Sequence, residues 1–342
     1  MKKYLALILS LILMLTAFAA CTQTTNDPTE KVSDSDVVTP ADAVENVTPS
    51  DVTTIRVAGM KGPTSIGMVK IMEDNTESGK YAFTIAGTAD EIAPKLIKGE
   101  LDIAAVPANL ASVLYNKTNG AVSVLAVNTL GVLYIVEKGD SVNSLADLKG
   151  KTIYATGKGT TPEYSLRYLL TENGIDPDND VTIEFRSEAT EIVSVLATAE
   201  DGIALLPQPY VTVASQKVEG LRTAINLNDE WNKLDNGSKL VTGVVVARNE
   251  FIENNPDAVT AFLDEYKQSV DYVNNNVEAA AVLVEKFDIF AAAVAKIAIP
   301  QCNIVFLDGE EMKEALTSYL TILYNQNPAS IGGNLPGEDF CY

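Results

Sequence analysis

Residues 91–107 read EIAPKLIKGELDIAAVP, and residues 191–207 read EIVSVLATAEDGIALLP. Aligned without a gap, Glu91 meets Glu191, Ile92 meets Ile192, Leu96 meets Leu196, Ile103-Ala104 meets Ile203-Ala204, and Pro107 meets Pro207. Each copy carries apolar residues at helical spacing, a turn, a short apolar run and then a proline. That order predicts helix, turn, buried strand and loop. The likeness extends upstream. Residues 54–67 (TIRVAGMKGPTSIG) and 152–164 (TIYATGKGTTPEY) each predict a strand that breaks into a Lys-Gly-x-Thr turn and leads to a helix. Two matched segments in the same order specify two α/β lobes. Each is built as strand, glycine-rich turn, helix, strand, helix, strand, with parallel strands joined by helical crossovers.

Between the copies, residues 121–139 (AVSVLAVNTLGVLYIVEKG) form a β-rich run with Asn128, Thr129, Leu130 and Gly131 at its middle. Residues 239–249 (KLVTGVVVARN) form a second, with Thr242 and Gly243 inside it. Two strands passing between lobes make a hinge, expected at 128–131 and 241–244. Lobe 1 is then 53–128 plus 244–342, and lobe 2 is 132–241. Beyond Asn255 the chain is helical in pattern, with an Asn cap and Pro256 at the first helical position. This tail is expected to pack on lobe 1.

The chain starts MKKYLALILSLILMLTAFAAC: a basic start, an apolar run, and Ala19-Ala20 before Cys21. Residues 1–20 read as a secretory signal, too short and wrongly flanked for a spanning helix. A cysteine directly after two alanines resembles the lipobox of bacterial lipoproteins. That resemblance implies lipidation of Cys21 and anchoring to the bacterial membrane on its outer side. Residues 21–52 carry Asp27, Glu30, Asp34, Asp36, Asp42 and Glu45 against a single Lys31, with no apolar period. Such a segment cannot bury enough surface to offset its chain entropy, and it suits an extended, disordered tether.

A formal charge of −21 argues against nucleic acid as a partner. The chain has no histidine, which excludes a Ser-His-Asp triad. Its three cysteines are too few for a Cys-rich zinc cluster, and neither metal nor cofactor is expected. Cys302 and Cys341 can either pair and pin the C-terminus, or stand as a buried and a loose thiol.

The chain resembles the extracytoplasmic solute-binding proteins of ABC importers, in particular the sulfonate/nitrate/taurine group related to the NMT1/THI5-like proteins. The features that carry this are the lipobox-like start, TIRVAGMKGPTSIG, KLIKGELDIAAVPANLA, SLADLKGKTIYATGKGTTPEY and ENNPDAVTAFLDEY. The resemblance implies an α/β, two-lobed type II periplasmic-binding-protein fold, with two hinge-crossing strands and a helical C-terminal segment. It implies a monomeric receptor that catalyses nothing, closes on a small molecule with an anionic or polar end, and presents it to a membrane permease. Sulfonates, nitrate-like oxyanions and vitamin-precursor heterocycles all remain open as ligands. A ligand-sensing lipoprotein coupled to a membrane signalling partner is the alternative. An enzyme on the same fold is disfavoured by the absent histidine and by the secretion signal.

In open α/β sheets ligands sit beyond the carboxyl ends of the strands, where helix N-termini offer unpaired N–H groups. The turn around Gly157, Lys158, Gly159, Thr160 and Thr161 is therefore expected to cradle an anion with its backbone N–H groups. It is not GxxxxGK[ST], so it is no nucleotide loop. Met60, Lys61, Thr64 and Ser65 form the partner clamp, although Met60 also fits a core position. Thr88 either caps its helix or donates to ligand. Asn109, Asn128 and Thr129 are placed at cleft height. Ser187, Glu188, Gln208 and Tyr210 complete the second lobe's side. Lys61 and Lys158 either pair with an acidic ligand group or snorkel to solvent. Trp231, the only tryptophan, lies in a polar stretch and is placed either over the cleft mouth or at a peripheral surface, the surface being preferred.

Overall fold

The computed structural model describes residues 54–342. The expected secretion signal, Cys21 and the expected acidic tether lie outside the described residues. The chain begins with β1 (Ile55–Met60), α1 (Pro63–Ile66), α2 (Val69–Ser78), β2 (Tyr81–Ala86), α3 (Ala89–Ile97), β3 (Ile103–Pro107), α4 (Ala108–Lys117) and β4 (Val122–Thr129). After a first crossing come β5 (Leu133–Lys138), β6 (Thr152–Ala155), α5 (Thr161–Glu172), β7 (Thr182–Phe185), α6 (Ala189–Thr198), β8 (Gly202–Pro207), α7 (Tyr210–Lys217), β9 (Leu221–Asn226) and α8 (Leu227–Asn232). After a second come β10 (Gly243–Arg248), α9 (Asn249–Asn254), α10 (Pro256–Asn275), α11 (Val277–Lys286), α12 (Ala292–Ala298), β11 (Ile304–Leu307) and α13 (Gly309–Gln326).

The strands fall into two sheets, ordered β11-β4-β10-β3-β1-β2 and β7-β6-β8-β5-β9. The internal repeat is visible in the pairing. Parallel partners join Val57 to Ile103 in the first lobe and Ile153 to Ile203 in the second. In each lobe the strand that opens the repeat also pairs in parallel with the next strand, β1 with β2 and β6 with β7. The sheets are nevertheless mixed, and not the all-parallel sheets that the repeat suggested. Each lobe receives a crossing segment as its fourth strand, and that strand arrives antiparallel: β5 beside β8, and β10 beside β3. A crossing enters the new sheet from the cleft side, so it runs against strands whose carboxyl ends point at the cleft.

β3 and β4 are buried at every position, which suits strands covered on both faces. Side chains of β10 alternate between two cores, as a period of two requires. Val245 and Ala247 face α10, with Phe262 and Tyr266. Val244 and Val246 face α4 and α13, with Leu114 and Leu320. The second of these cores continues into the other lobe through Ile135, Ile153 and Leu166.

Two expectations are corrected, and of the two alternatives left open for the cysteines one is seen. The helical tail does not belong to the first lobe alone. α10 and α11 pack on α2, but α13 also touches α5, and Tyr319 Oη lies 3.3 Å from Ser165 Oγ of the second lobe. Trp231 is fully buried. Leu227 and Trp231, four apart, form the apolar stripe of α8, and the indole packs between Tyr168 and Tyr319 at 4.8 and 5.6 Å between centroids. Its Nε1 donates to Ser238 Oγ at 2.8 Å. Finally, Cys302 and Cys341 are both free thiols. Cys302 lies in the α10-side core and Cys341 packs with the α13-side core, so the first sheet separates them.

Candidate functional site

A cavity of about 700 Å³ lies between the carboxyl ends of the two sets of parallel strands. From the first lobe it is lined by the ends of β1 (Met60, Lys61, Thr64), β2 (Ile85, Thr88, Asp90) and β3 (Pro107). From the second it is lined by the turns after β6 (Gly157, Lys158, Thr160, Thr161), β7 (Arg186, Ser187, Glu188) and β8 (Gln208, Tyr210). Thr129, Val132 and Thr242 line it from the crossings. This is the position expected of a ligand site in open α/β sheets, and the volume is typical of small-molecule clefts.

The turn after β6 is built tightly. Gly157 sits at φ 73°, a conformation that glycine adopts without strain. A Cβ there would stand 2.7 Å from Thr160 Oγ1 and 3.1 Å from Pro162 Cγ. The turn's donors, however, do not point freely at the cavity. Gly159 N–H donates to Glu163 Oε2 at 2.7 Å. Thr160 N–H and Oγ1 both donate to Gly157 O, at 3.0 and 2.7 Å. Thr161 Oγ1 donates to Asn109 Oδ1 at 3.3 Å. Glu163 is itself buried and accepts from Arg167 Nε at 2.9 Å. Of the expected cradle's N–H groups, that of Gly159 is thus taken by a carboxylate of its own helix and that of Thr160 by Gly157 O.

The same device recurs around the cleft. Gly87 N–H and Thr88 N–H donate to Glu91 Oε1 at 3.0 and 2.9 Å, so Thr88 is tied into a capping arrangement at the start of α3. Gln208 Oε1 accepts from Thr212 N–H at 3.3 Å and from Thr212 Oγ1 at 2.9 Å, which covers the start of α7. The residue before α6 is Glu188 itself. Burial, and then the Glu188 charge, push the Tyr210 hydroxyl up from its ordinary range.

Two of the three lining cations lie against aromatic rings. Lys158 Nζ lies 5.8 Å from the centroid of the Phe185 ring. The Arg186 guanidinium lies 5.2 Å over Tyr154 and donates to Glu184 Oε2 at 3.0 Å. Lys61 makes no ion pair among the described residues. Among the described residues there is also no group of three His, Cys, Asp or Glu side chains placed to hold a metal, and no helix long and apolar enough to cross a membrane.

Thirteen of the residues picked from the sequence line the cavity, and four do not. Ser65 is buried beside Gly59, behind Thr64. Asn128 is buried, with its Oδ1 accepting from Thr129 Oγ1 at 3.1 Å. Asn109, fully buried, ties the lobes together by donating from Nδ2 to Gly159 O (3.2 Å) and Ser330 O (2.9 Å). Gly159 takes part in that tie and not in the lining. Sequence reasoning missed Arg186, Thr242, Phe287 and Asp288. Arg186 directly precedes the Ser187-Glu188 pair and was open to the same argument. Phe287 and Asp288 follow α11, far along the chain, with no local signal of their place.

Across the chain, residues 119–280 match the family model described as NMT1/THI5 like. That stretch is an NMT1/THI5-like domain. The NMT1/THI5-like stretch takes in the whole second sheet together with β4, β10 and α10 of the first lobe. The solved structure of an ABC transporter from Parabacteroides distasonis is similar to this chain at a TM-score of 0.70 and 26% identity, covering 85% of this chain and 99% of that one. The periplasmic aliphatic sulphonate binding protein SsuA from Escherichia coli matches at a TM-score of 0.67, covering 84% and 92%. At 14% identity that likeness is one of fold. A Brucella abortus protein that carries the name of a binding protein is 26% identical over 174 residues, 51% of this chain and 52% of its own length. The chain spans about half the length of the curated relatives it matches.

Proposed function

We propose that this protein is an extracytoplasmic solute receptor that captures a small organic molecule between its lobes and delivers it to an ABC importer. One observation carries the reading: the cavity is lined by residues of both lobes at their facing strand ends, and the lobes are joined there by crossings at 128–131 and 241–244. Rotation about those crossings would open and close the site, a hinge movement with the cleft as its product. The receptor binds without converting, in keeping with a chain that has no histidine. The likeness to an ABC transporter structure and to a sulphonate binding protein supports the importer as partner. The basic-apolar-Ala-Ala-Cys start supports a secreted chain anchored through lipid on Cys21.

The test is a thermal-shift screen of the purified chain against sulfonates, inorganic oxyanions, amino acids, vitamins and their precursors. A ligand at a hundredfold over its Kd adds about 2.7 kcal/mol to stability, which raises Tm by several degrees. Silence across the whole library refutes the reading.

A further inference from the structure

We infer that the cleft is built for an organic solute with a ring-sized apolar body, seated against a strap formed by residues 287–301, and not for a bare inorganic oxyanion. The inference rests on the solute-receptor reading above and names the class of solute.

Part of what would grip a bare oxyanion is already engaged. At the starts of α3, α5 and α7 some of the backbone donors, those of Gly87, Thr88, Gly159 and Thr212, are taken by the side chains of Glu91, Glu163 and Gln208. A helix start whose N–H groups face its own carboxylate has lost much of its pull on an outside anion. Among the lining side chains three carboxylates, Asp90, Glu188 and Asp288, balance three cations. Two of those cations, Lys158 and Arg186, lie over aromatic faces of the protein. A cavity of about 700 Å³ also far exceeds what a nitrate-sized ion can fill.

What the cleft does present is an apolar wall closed by the strap. Phe287 lines the cavity from the strap, and Tyr210 lines it from the second lobe. Phe290 packs edge-on against Tyr210 at 5.1 Å between centroids. Gln301 Oε1 accepts from Gln208 Nε2 at 3.0 Å, and Gln301 O accepts from Tyr134 Oη at 3.1 Å. The strap therefore holds the second lobe by neutral contacts beside the two aromatic rings, in the place where an apolar body would be buried. Buried apolar area, not charge, then carries the affinity.

Calorimetric titration of the full chain in detergent with benzenesulfonate, methanesulfonate and nitrate tests this. The first two share a head and differ in body. Benzenesulfonate is expected to bind at least about tenfold tighter than methanesulfonate, from burial of the ring, with nitrate weakest. Phe287→Ala should lower benzenesulfonate affinity about tenfold and leave methanesulfonate within about twofold; Phe287→Leu, which keeps most of the volume, should lie between. Should Phe287→Ala fail to fold by circular dichroism, Phe287→Leu and Tyr210→Ala carry the comparison. Nitrate or methanesulfonate binding as tightly as benzenesulfonate overturns the inference, as does an equal loss of both sulfonates in the variants. If none of the three binds, the best compound of the thermal-shift screen decides. A ring-bearing solute that loses affinity in Phe287→Ala upholds the inference, and a best ligand without such a body overturns it. Silence across that screen instead refutes the receptor reading beneath it.

Discussion

Gly243 opens β10 at the second crossing, and replacing it with alanine tests how tightly the crossings are packed. A Cβ there would stand 2.7 Å from Asn128 Oδ1, 2.9 Å from Thr64 Cγ2 and 3.3 Å from Thr129 Cβ. Packed carbons rest about 3.5–4.0 Å apart, so the new methyl overlaps all three neighbours. None can easily withdraw. Thr64 Oγ1 donates to Met60 O at 3.2 Å, and Thr129 Oγ1 donates to Asn128 Oδ1 at 3.1 Å. Overpacking of this kind costs about 1–3 kcal/mol, and loss of the Thr129–Asn128 hydrogen bond adds about 1 kcal/mol. Gly243→Ala is therefore expected to lose about 2–4 kcal/mol in urea unfolding, and at least about 4 °C in Tm. Thr64 and Thr129 also line the cavity, so affinity for the best ligand should fall about tenfold, the equivalent of roughly 1.4 kcal/mol. Gly150→Ala is the control. Its Cβ would meet nothing within 4 Å, and its φ is 78°, so it loses about 1 kcal/mol to backbone strain and no affinity. Stability within about 0.5 kcal/mol of wild type, with unchanged binding in Gly243→Ala, would refute the close packing of the crossing.

Asn109→Ala removes the hydrogen bonds to Gly159 O and Ser330 O and leaves the buried Ser330 carbonyl without its donor. Urea unfolding should show a loss of about 2 kcal/mol, and a variant as stable as wild type would show that this tie between lobes is idle. Asp102 is buried and accepts from Arg56 N–H, Nε and Nη2 and from Arg248 Nη2. Burial pushes its carboxyl up, but the hydrogen bonds from the two arginines outweigh that and hold it below its ordinary range. A depressed folded value contributes stability above the unfolded pKa of about 3.9 and loses it as pH falls through the folded value. Asp102→Asn should therefore be less stable than wild type by about 3 kcal/mol at pH 7. In acid titrations the gap should close below about pH 4, and a gap independent of pH would contradict the ion pairing. Because the two thiols lie on opposite sides of the first sheet, reduction should leave the mass of the air-oxidised chain unchanged. Iodoacetamide should modify Cys341 before Cys302, whose thiol burial pushes well up; a mass gain of two hydrogens on reduction would count against this arrangement.

What was legible in the sequence, and what was not, divides along a physical line. The repeat could be read because helix and strand periods are local: Ile92 and Leu96 answer Ile192 and Leu196, and the parallel pairs Val57–Ile103 and Ile153–Ile203 follow from that order. The antiparallel arrival of β5 and β10 depends on which side a crossing enters from, and no residue within those strands records it. Trp231 shows the limit of composition. Its polar neighbours suggested a surface, yet Leu227, four residues earlier, already marked the buried stripe. The partial occupation of the expected anion cradle has a cause that the sequence did contain. Thr88 is followed at three residues by Glu91, and Gly159 at four residues by Glu163. Those spacings let a carboxylate turn back on its own helix start, and in both places it does. A glycine-rich turn before a helix therefore predicts an anion site only when no acid stands within reach of its donors. Here one stands within reach in each lobe, Glu91 in the first and Glu163 in the second.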